Sequence, residues 1–161
     1  MEQPGTALVT GGAGFIGSHL VDTLVARGHA VRVLDDLSTG RREHLRPDVA
    51  LIEASVADPD AVATAVEGCE LVFHLGALGA VARSVENPLP TDTVNGHGTL
   101  CVLRGAHAAG ARRVVFASSS SVYGGAEQLP TPESAPLLPR SPYAVSKLTG
   151  EHYCRVFTEL Y

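Results

Sequence analysis

The chain has 161 residues and a mass of 16.7 kDa, with 45% hydrophobic and 18% charged residues, which fits one domain with a buried core and fits neither a disordered chain nor a highly charged tail. Its formal charge of −5 disfavours non-specific nucleic-acid binding, which needs a basic surface to displace counterions. No apolar run approaches the roughly 18 residues of a membrane span.

Residues 6–10 (TALVT) form a short apolar strand candidate ending in glycines. Phe15, Ile16, Leu20, Val21 and Leu24 then recur at helical spacing over 15–26, with Gly28 as the stop. A second strand is expected over 30–34, closed by Asp35 and Asp36, and a weaker third over 49–52. Asp58 as N-cap and Pro59 in the first helical position predict a helix to about residue 67. Residues 70–75 (ELVFHL) read as a fourth strand, 91–109 as one long helix, and 113–118 (RVVFAS) as a fifth strand. From 123 to 142 the chain carries Gly124, Gly125 and Pro130, Pro132, Pro136, Pro139 and Pro142, which reads as one long loop of the kind that usually has a function. A last helix is expected over 142–160. Strands alternating with helices predict an α/β fold of Rossmann type, a doubly wound parallel sheet in a single domain over 1–161.

The first turn carries the clearest chemistry. Gly12-Ala13-Gly14-Phe15-Ile16-Gly17 matches G-x-G-x-x-G, and Gly11, Gly14 and Gly17 also give G-x-x-G-x-x-G. The pattern gains its meaning from context, since it follows a strand and opens a helix. Glycine suits a left-handed turn, lets the backbone approach a pyrophosphate, and lets the helix pack close to the sheet. Free N–H groups and the helix dipole then hold the phosphates. Asp35 lies 18 residues after Gly17 at the end of the second strand. A carboxylate there accepts from ribose hydroxyls and repels a 2′-phosphate, favouring NAD over NADP, a preference that Arg41 and Arg42 could soften.

A second constellation sits at the far end. Ser118, Ser119, Ser120 and Ser121 follow the fifth strand, at the sheet end where open α/β folds bind ligands. Tyr143 and Lys147 are four apart at the start of a helix, so the phenol and the ammonium share one face. A nearby ammonium favours the phenolate and readies the tyrosine for base catalysis. Of twelve basic residues only Lys147 is lysine, where a compact ammonium can serve a ribose and a phenolate together.

With these residues assembled, the sequence resembles the extended short-chain dehydrogenase/reductase family, in particular the NAD-dependent nucleotide-sugar epimerases and dehydratases. The segments that carry the resemblance are TGGAGFIGSHL (10–20), LDDLSTGRREHL (34–45), FHLGAL (73–78), SVENP (84–88), ASSSSVYGG (117–125) and SPYAVSK (141–147). The resemblance implies Tyr143 as base, Lys147 as its partner and Ser119 as the catalytic hydroxyl, with Ser119, Ser120 and Tyr143 facing the sugar. Gly11, Gly14, Phe15, Ile16 and Gly17 would hold the pyrophosphate of NAD. Asp35, Asp36, Ser38, Thr39 and Gly40 would surround the adenosine, with Ser55 and Val56 near the adenine. Leu75, Gly76, Ala77 and Asn95 would lie toward the nicotinamide, Asn95 mainly by ordering backbone, and Tyr143 and Lys147 would reach its ribose.

Ser55 stands where family members usually carry an Asp that contacts the adenine amino group. Ser120 and Ser121 stand where a 4,6-dehydratase has Asp-Glu, and a sugar-acid decarboxylase would have Glu at 121. The resemblance therefore points to a 4-epimerase acting on a UDP-hexose, a UDP-N-acetylhexosamine or a UDP-hexuronate. It implies the cofactor-binding half of such an enzyme, truncated before the last strand or strands and the substrate domain, and a homodimer paired through the helices near 91–109 and 142–160. Other readings are a dinucleotide-binding module without turnover, another nucleotide-sugar oxidoreductase or dehydratase, and a net oxidoreductase acting on a ketone.

The remaining candidates are weaker. Cys69, Cys101 and Cys154 lie far apart and outside any C-x-x-C, and residues 1–4 begin no signal peptide, which together suggest reduced thiols in the cytoplasm. His97 and Cys101 are i, i+4, but two ligands make no metal site. His74 reads as a packed, hydrogen-bonded histidine rather than a catalyst. Tyr123 is either structural or part of a sugar pocket.

Overall fold

The computed structural model describes residues 5–125 and 128–161. Residues 1–4, considered above for a leader, and 126–127 of the proline-rich stretch lie outside the described residues.

Five parallel strands run β1 (Thr6–Thr10), β2 (Ala30–Asp35), β3 (Ala50–Glu53), β4 (Leu71–His74) and β5 (Arg113–Phe116), in the sheet order β3-β2-β1-β4-β5. β1 lies in the middle, and Ala7, Leu8 and Val9 are all fully buried, as expected for a parallel strand covered on both faces. Alternation along β1 divides the core. Leu8 joins Leu34, Val72, Val62, Val66 and Val102 on one face. Ala7 and Val9 join Val33, Val21 and Leu24 on the other. Helix α1 (Phe15–Ala26) supplies the second face; α2 (Pro59–Val66) and α5 (Gly98–Ala108) supply the first. Each such Val or Leu side chain contributes roughly 1.5–3 kcal/mol on burial.

Connectivity places the crevice. The chain winds outward from β1 to β2 and β3, then crosses back to β4 on the opposite side of β1. Val9 thus pairs with Val33 on one side and with Phe73 on the other. The loops leaving β1 and β4 diverge at this switch point, where doubly wound sheets hold ligands.

Caps fix two helix starts where the sequence puts them. Asp58 Oδ1 accepts from the Asp60 and Ala61 amides at 3.0 and 3.1 Å, ahead of Pro59. Ser141 Oγ accepts from the Ala144 amide at 3.1 Å and opens α6 (Pro142–Leu160). The stretch expected as one helix over 91–109 is more complex. A short helix α3 (Val81–Glu86) precedes it, α4 (Pro88–Asp92) begins before the expected start, and a π turn (Thr93–His97) leads into α5. Pro88 and Pro90 mask that start in the sequence, although proline in a first turn spares only amides that have no partner there. The serine stretch after β5 winds into a 3-10 turn (Ser120–Tyr123), with β5 ending at Phe116 rather than 118. Among the described residues, no helix is long and apolar enough to cross a membrane.

Candidate active site

The glycine loop after β1 is built by close backbone approach. Gly11 has φ +69°, and a Cβ there would stand 2.7 Å from the Gly76 amide nitrogen. A Cβ on Gly17 would stand 2.1 Å from the Gly11 carbonyl oxygen, so α1 can begin against this turn only with glycine at 17. The first turn of α1 has neither an acidic residue nor a side-chain cap, which leaves its amides available to an anion. Gly11, Gly14, Phe15, Ile16 and Gly17 all face a cleft of about 630 Å³, and Phe15 and Ile16 are 76% and 70% exposed along it. A loop with no room for a Cβ, at a bare helix N-terminus, fits a dinucleotide pyrophosphate.

Asp35 ends β2 on the same cleft, 8% exposed. Its Oδ2 accepts from the Ala13 amide and its Oδ1 from the Leu37 amide, both at 2.9 Å. Each oxygen keeps a lone pair for a ribose hydroxyl. Asp36, Ser38 and Thr39 also line the wall, with Asp36 Oδ1 accepting from the Ser38 amide at 2.9 Å. Gly40 stands behind it, where a Cβ would press Asp35 Oδ1 at 2.9 Å. Arg42 pairs with Glu53 at 2.7 Å, so its charge is spent on the surface. Val56 reaches the cleft, whereas Ser55 is off the wall and accepts from the Ala57 amide at 3.2 Å.

On the other side, Leu75, Gly76 and Ala77 form the wall after β4. Asn95 sits behind them, 2% exposed, with Oδ1 accepting from the Leu78 amide at 2.8 Å and Nδ2 donating to the Leu78 carbonyl at 3.2 Å. Leu37 (φ +58°) and Ala80 (φ +87°) are non-glycine residues in the left-handed region; Ala80 is on the wall and Leu37 sits between two wall residues. Strain of this kind gathers at functional sites.

Tyr143 and Lys147 both open onto the cleft from α6. Ser84 Oγ accepts the Tyr143 amide at 3.1 Å and so fixes the start of that helix against α3. Lys147 is 4% exposed; its Nζ donates to the Ala117 carbonyl at 2.7 Å and lies 4.8 Å from the Phe116 ring centroid. Burial pulls its pKa down to about 8, where charged and neutral forms are both accessible near neutral pH. The serines divide. Ser118 lies on the wall and donates to Glu151 one turn beyond Lys147. Ser119 and Ser120 do not line it: Ser119 Oγ pairs with Ser121 Oγ at 2.8 Å and caps the 3-10 turn, and Ser120 is exposed in that turn. Of the four serines, Ser118 rather than Ser119 is the one on the wall, and Arg83, outside the expected site residues, also borders the cleft. Arg83 sits one residue before Ser84 in SVENP, and no motif signals which face of α3 it takes.

His97 Nε2 and Cys101 Sγ do approach, at 3.3 Å, but no group of three potential metal ligands occurs among the described residues.

The NAD dependent epimerase/dehydratase family matches this sequence over residues 7–161. The chain belongs to that family. Among relatives, UDP-glucose 4-epimerase of Mycolicibacterium smegmatis is 45% identical over 161 residues, covering 96% of this chain and 51% of the relative. Among solved structures, the Thermus thermophilus UDP-glucose 4-epimerase complex with NAD superposes with TM-score 0.92 at 41% identity, over 97% of this chain and 51% of that one. UDP-N-acetylglucosamine 4-epimerase from Methanobrevibacter ruminantium, in complex with UDP-N-acetylmuramic acid, gives TM-score 0.92 at 36% identity, over 99% and 52% of the two chains. The chain thus spans about half the length of the family members it matches.

Proposed function

We propose that this chain is the NAD-binding part of a UDP-sugar 4-epimerase, with Tyr143 as base and Lys147 as its electrostatic partner, and, on the family resemblance alone, Ser119, which does not itself line the cleft, as the hydroxyl that shares the proton. One observation carries the reading: the glycine cradle, Asp35, Tyr143 and Lys147 all open onto a single cleft at the switch point of the sheet. When bound, NAD supplies a reversible hydride acceptor, so that a sugar 4-hydroxyl passes to a ketone and back with inversion. Tyr143 takes the hydroxyl proton in the first half of the cycle and returns it in the second. Lys147, held at the Ala117 carbonyl, keeps positive charge beside the cleft and holds the nicotinamide ribose. Gly11, Gly14 and Gly17 admit the pyrophosphate, and Asp35 accepts from the adenosine ribose.

The substrate class is a UDP-hexose, UDP-N-acetylhexosamine or UDP-hexuronate, and the place of action is the cytoplasm. A homodimer built on α5 and α6 belongs to the same proposal. Because the chain spans half the length of its relatives, a second reading is a dinucleotide-binding module without turnover. Calorimetric titration with NAD, followed by incubation with UDP-glucose, UDP-N-acetylglucosamine and UDP-glucuronate, separates them. We expect NAD binding by this chain, and epimerisation that a Tyr143→Phe substitution abolishes in a chain of the relatives' full length. Failure to bind NAD would overturn the reading; binding and turnover that survive Tyr143→Phe would overturn the base assignment.

A further inference from the structure

We propose that His74 is a positioning residue: as its neutral Nε2–H tautomer it completes a one-way buried hydrogen-bond chain that holds the cleft wall at Gly76 and Leu78 in place relative to Tyr143.

The direction of every bond in this chain follows from proton counting. Thr99 Oγ1 donates its single proton to the Asn95 carbonyl at 2.5 Å. It can therefore only accept from His74 Nε2, 3.0 Å away, which puts the ring proton on Nε2. Nδ1 is then an acceptor, and Thr10 Oγ1 donates to it at 2.7 Å. The Thr10 oxygen is left to accept the Gly76 amide at 3.0 Å. Asn95 continues the path: its Nδ2 also donates to Ser146 Oγ at 3.0 Å, and Ser146 Oγ donates to the Tyr143 carbonyl at 2.8 Å.

Thr10, His74, Asn95, Thr99 and Ser146 are each no more than 3% exposed, so water offers no substitute partner. Burial, and next the nearby Lys147 charge, lower the His74 pKa to about 3, consistent with a ring that stays neutral. The chain begins at a wall amide on the loop after β4, and its Asn95 branch ends on that loop at Leu78 and on α6 at Tyr143. It joins the ends of β1 and β4, the π turn, α5 and α6. A broken link would therefore loosen the wall while leaving the hydrophobic core intact.

Thr99 is the point at which to test this, because valine keeps its shape and removes its hydroxyl, whereas serine restores the hydroxyl. Nitrogen NMR of the wild-type chain should place the imidazole proton on Nε2 alone. Thr99→Val should speed amide exchange at Gly76 and Leu78 about tenfold, the equivalent of one lost hydrogen bond, while Val9 and Val33 in the sheet change less than twofold. Thr99→Ser should bring both wall amides back to the wild-type rate. In the same series NADH affinity should fall about tenfold for Thr99→Val and recover for Thr99→Ser. A proton on Nδ1, unchanged exchange at Gly76 and Leu78, or acceleration spread evenly over the sheet would overturn the proposal. This inference rests on the cleft being the cofactor site only for the NADH arm. Absence of NADH binding by the wild type would count against the proposed function, while the tautomer and exchange measurements decide the role of His74 by themselves.

Discussion

Lys147 spends stability to sit where it does. Its folded pKa of about 8 lies below the ordinary 10.5, so the cost of burying its charge is present in full below pH 8 and disappears as the pH rises toward 10.5. That difference corresponds to about 3 kcal/mol at most. Lys147→Met should therefore raise the urea midpoint at pH 7 and flatten its rise between pH 8 and pH 10, read by circular dichroism, while in a chain of the relatives' length it should abolish turnover. The neighbouring serines offer a second test. Ser119→Ala should lower turnover about a hundredfold in a chain of the relatives' length, the usual worth of a proton-transferring group. Ser118→Ala, which frees Glu151 on α6, should cost less than tenfold. A reversal of that ranking would reassign the catalytic hydroxyl to the serine on the wall.

Among the elements, those with local signals were legible before any coordinates. β1 and α1 announced themselves through an apolar run followed by a glycine turn, α2 through Asp58-Pro59, and α6 through Ser141-Pro142. What stayed hidden depends on distant partners or on proline. α4 begins at Pro88, and α3 follows Ala80, which adopts φ +87° and offers no side-chain cap. His74 carried no sign of its partners, since Thr10 and Thr99 lie 64 and 25 residues away in sequence. The split between Ser118 and Ser119 is equally silent, because four consecutive serines give no clue to where β5 ends and the 3-10 turn begins. Ala80 yields a prediction at this scale. Ala80→Gly should relieve the left-handed strain and raise the unfolding free energy by about 1 kcal/mol in urea titration. The same change should weaken NAD binding, because the wall then becomes freer to leave its bound shape.

For the molecule as a whole, the sheet order leaves β5 at an edge, with Val115 45% exposed on it. An unpaired parallel edge offers a row of backbone donors and acceptors to another chain. We expect concentration-dependent association in sedimentation velocity, and its reduction by Val115→Lys with NAD binding retained. Equal association of both proteins would locate the contact elsewhere.

Asp35 has a consequence of another kind. Its two oxygens already anchor the Ala13 and Leu37 amides, and Gly40 is packed against it too closely for any side chain. A neutral residue at 35 that welcomed a 2′-phosphate would strand one of those amides and release the loop that shapes this end of the cleft. On the proposed reading, cofactor preference and loop folding are thus written into one carboxylate, and a lineage or an engineer wishing to change the first must rebuild the second in the same step.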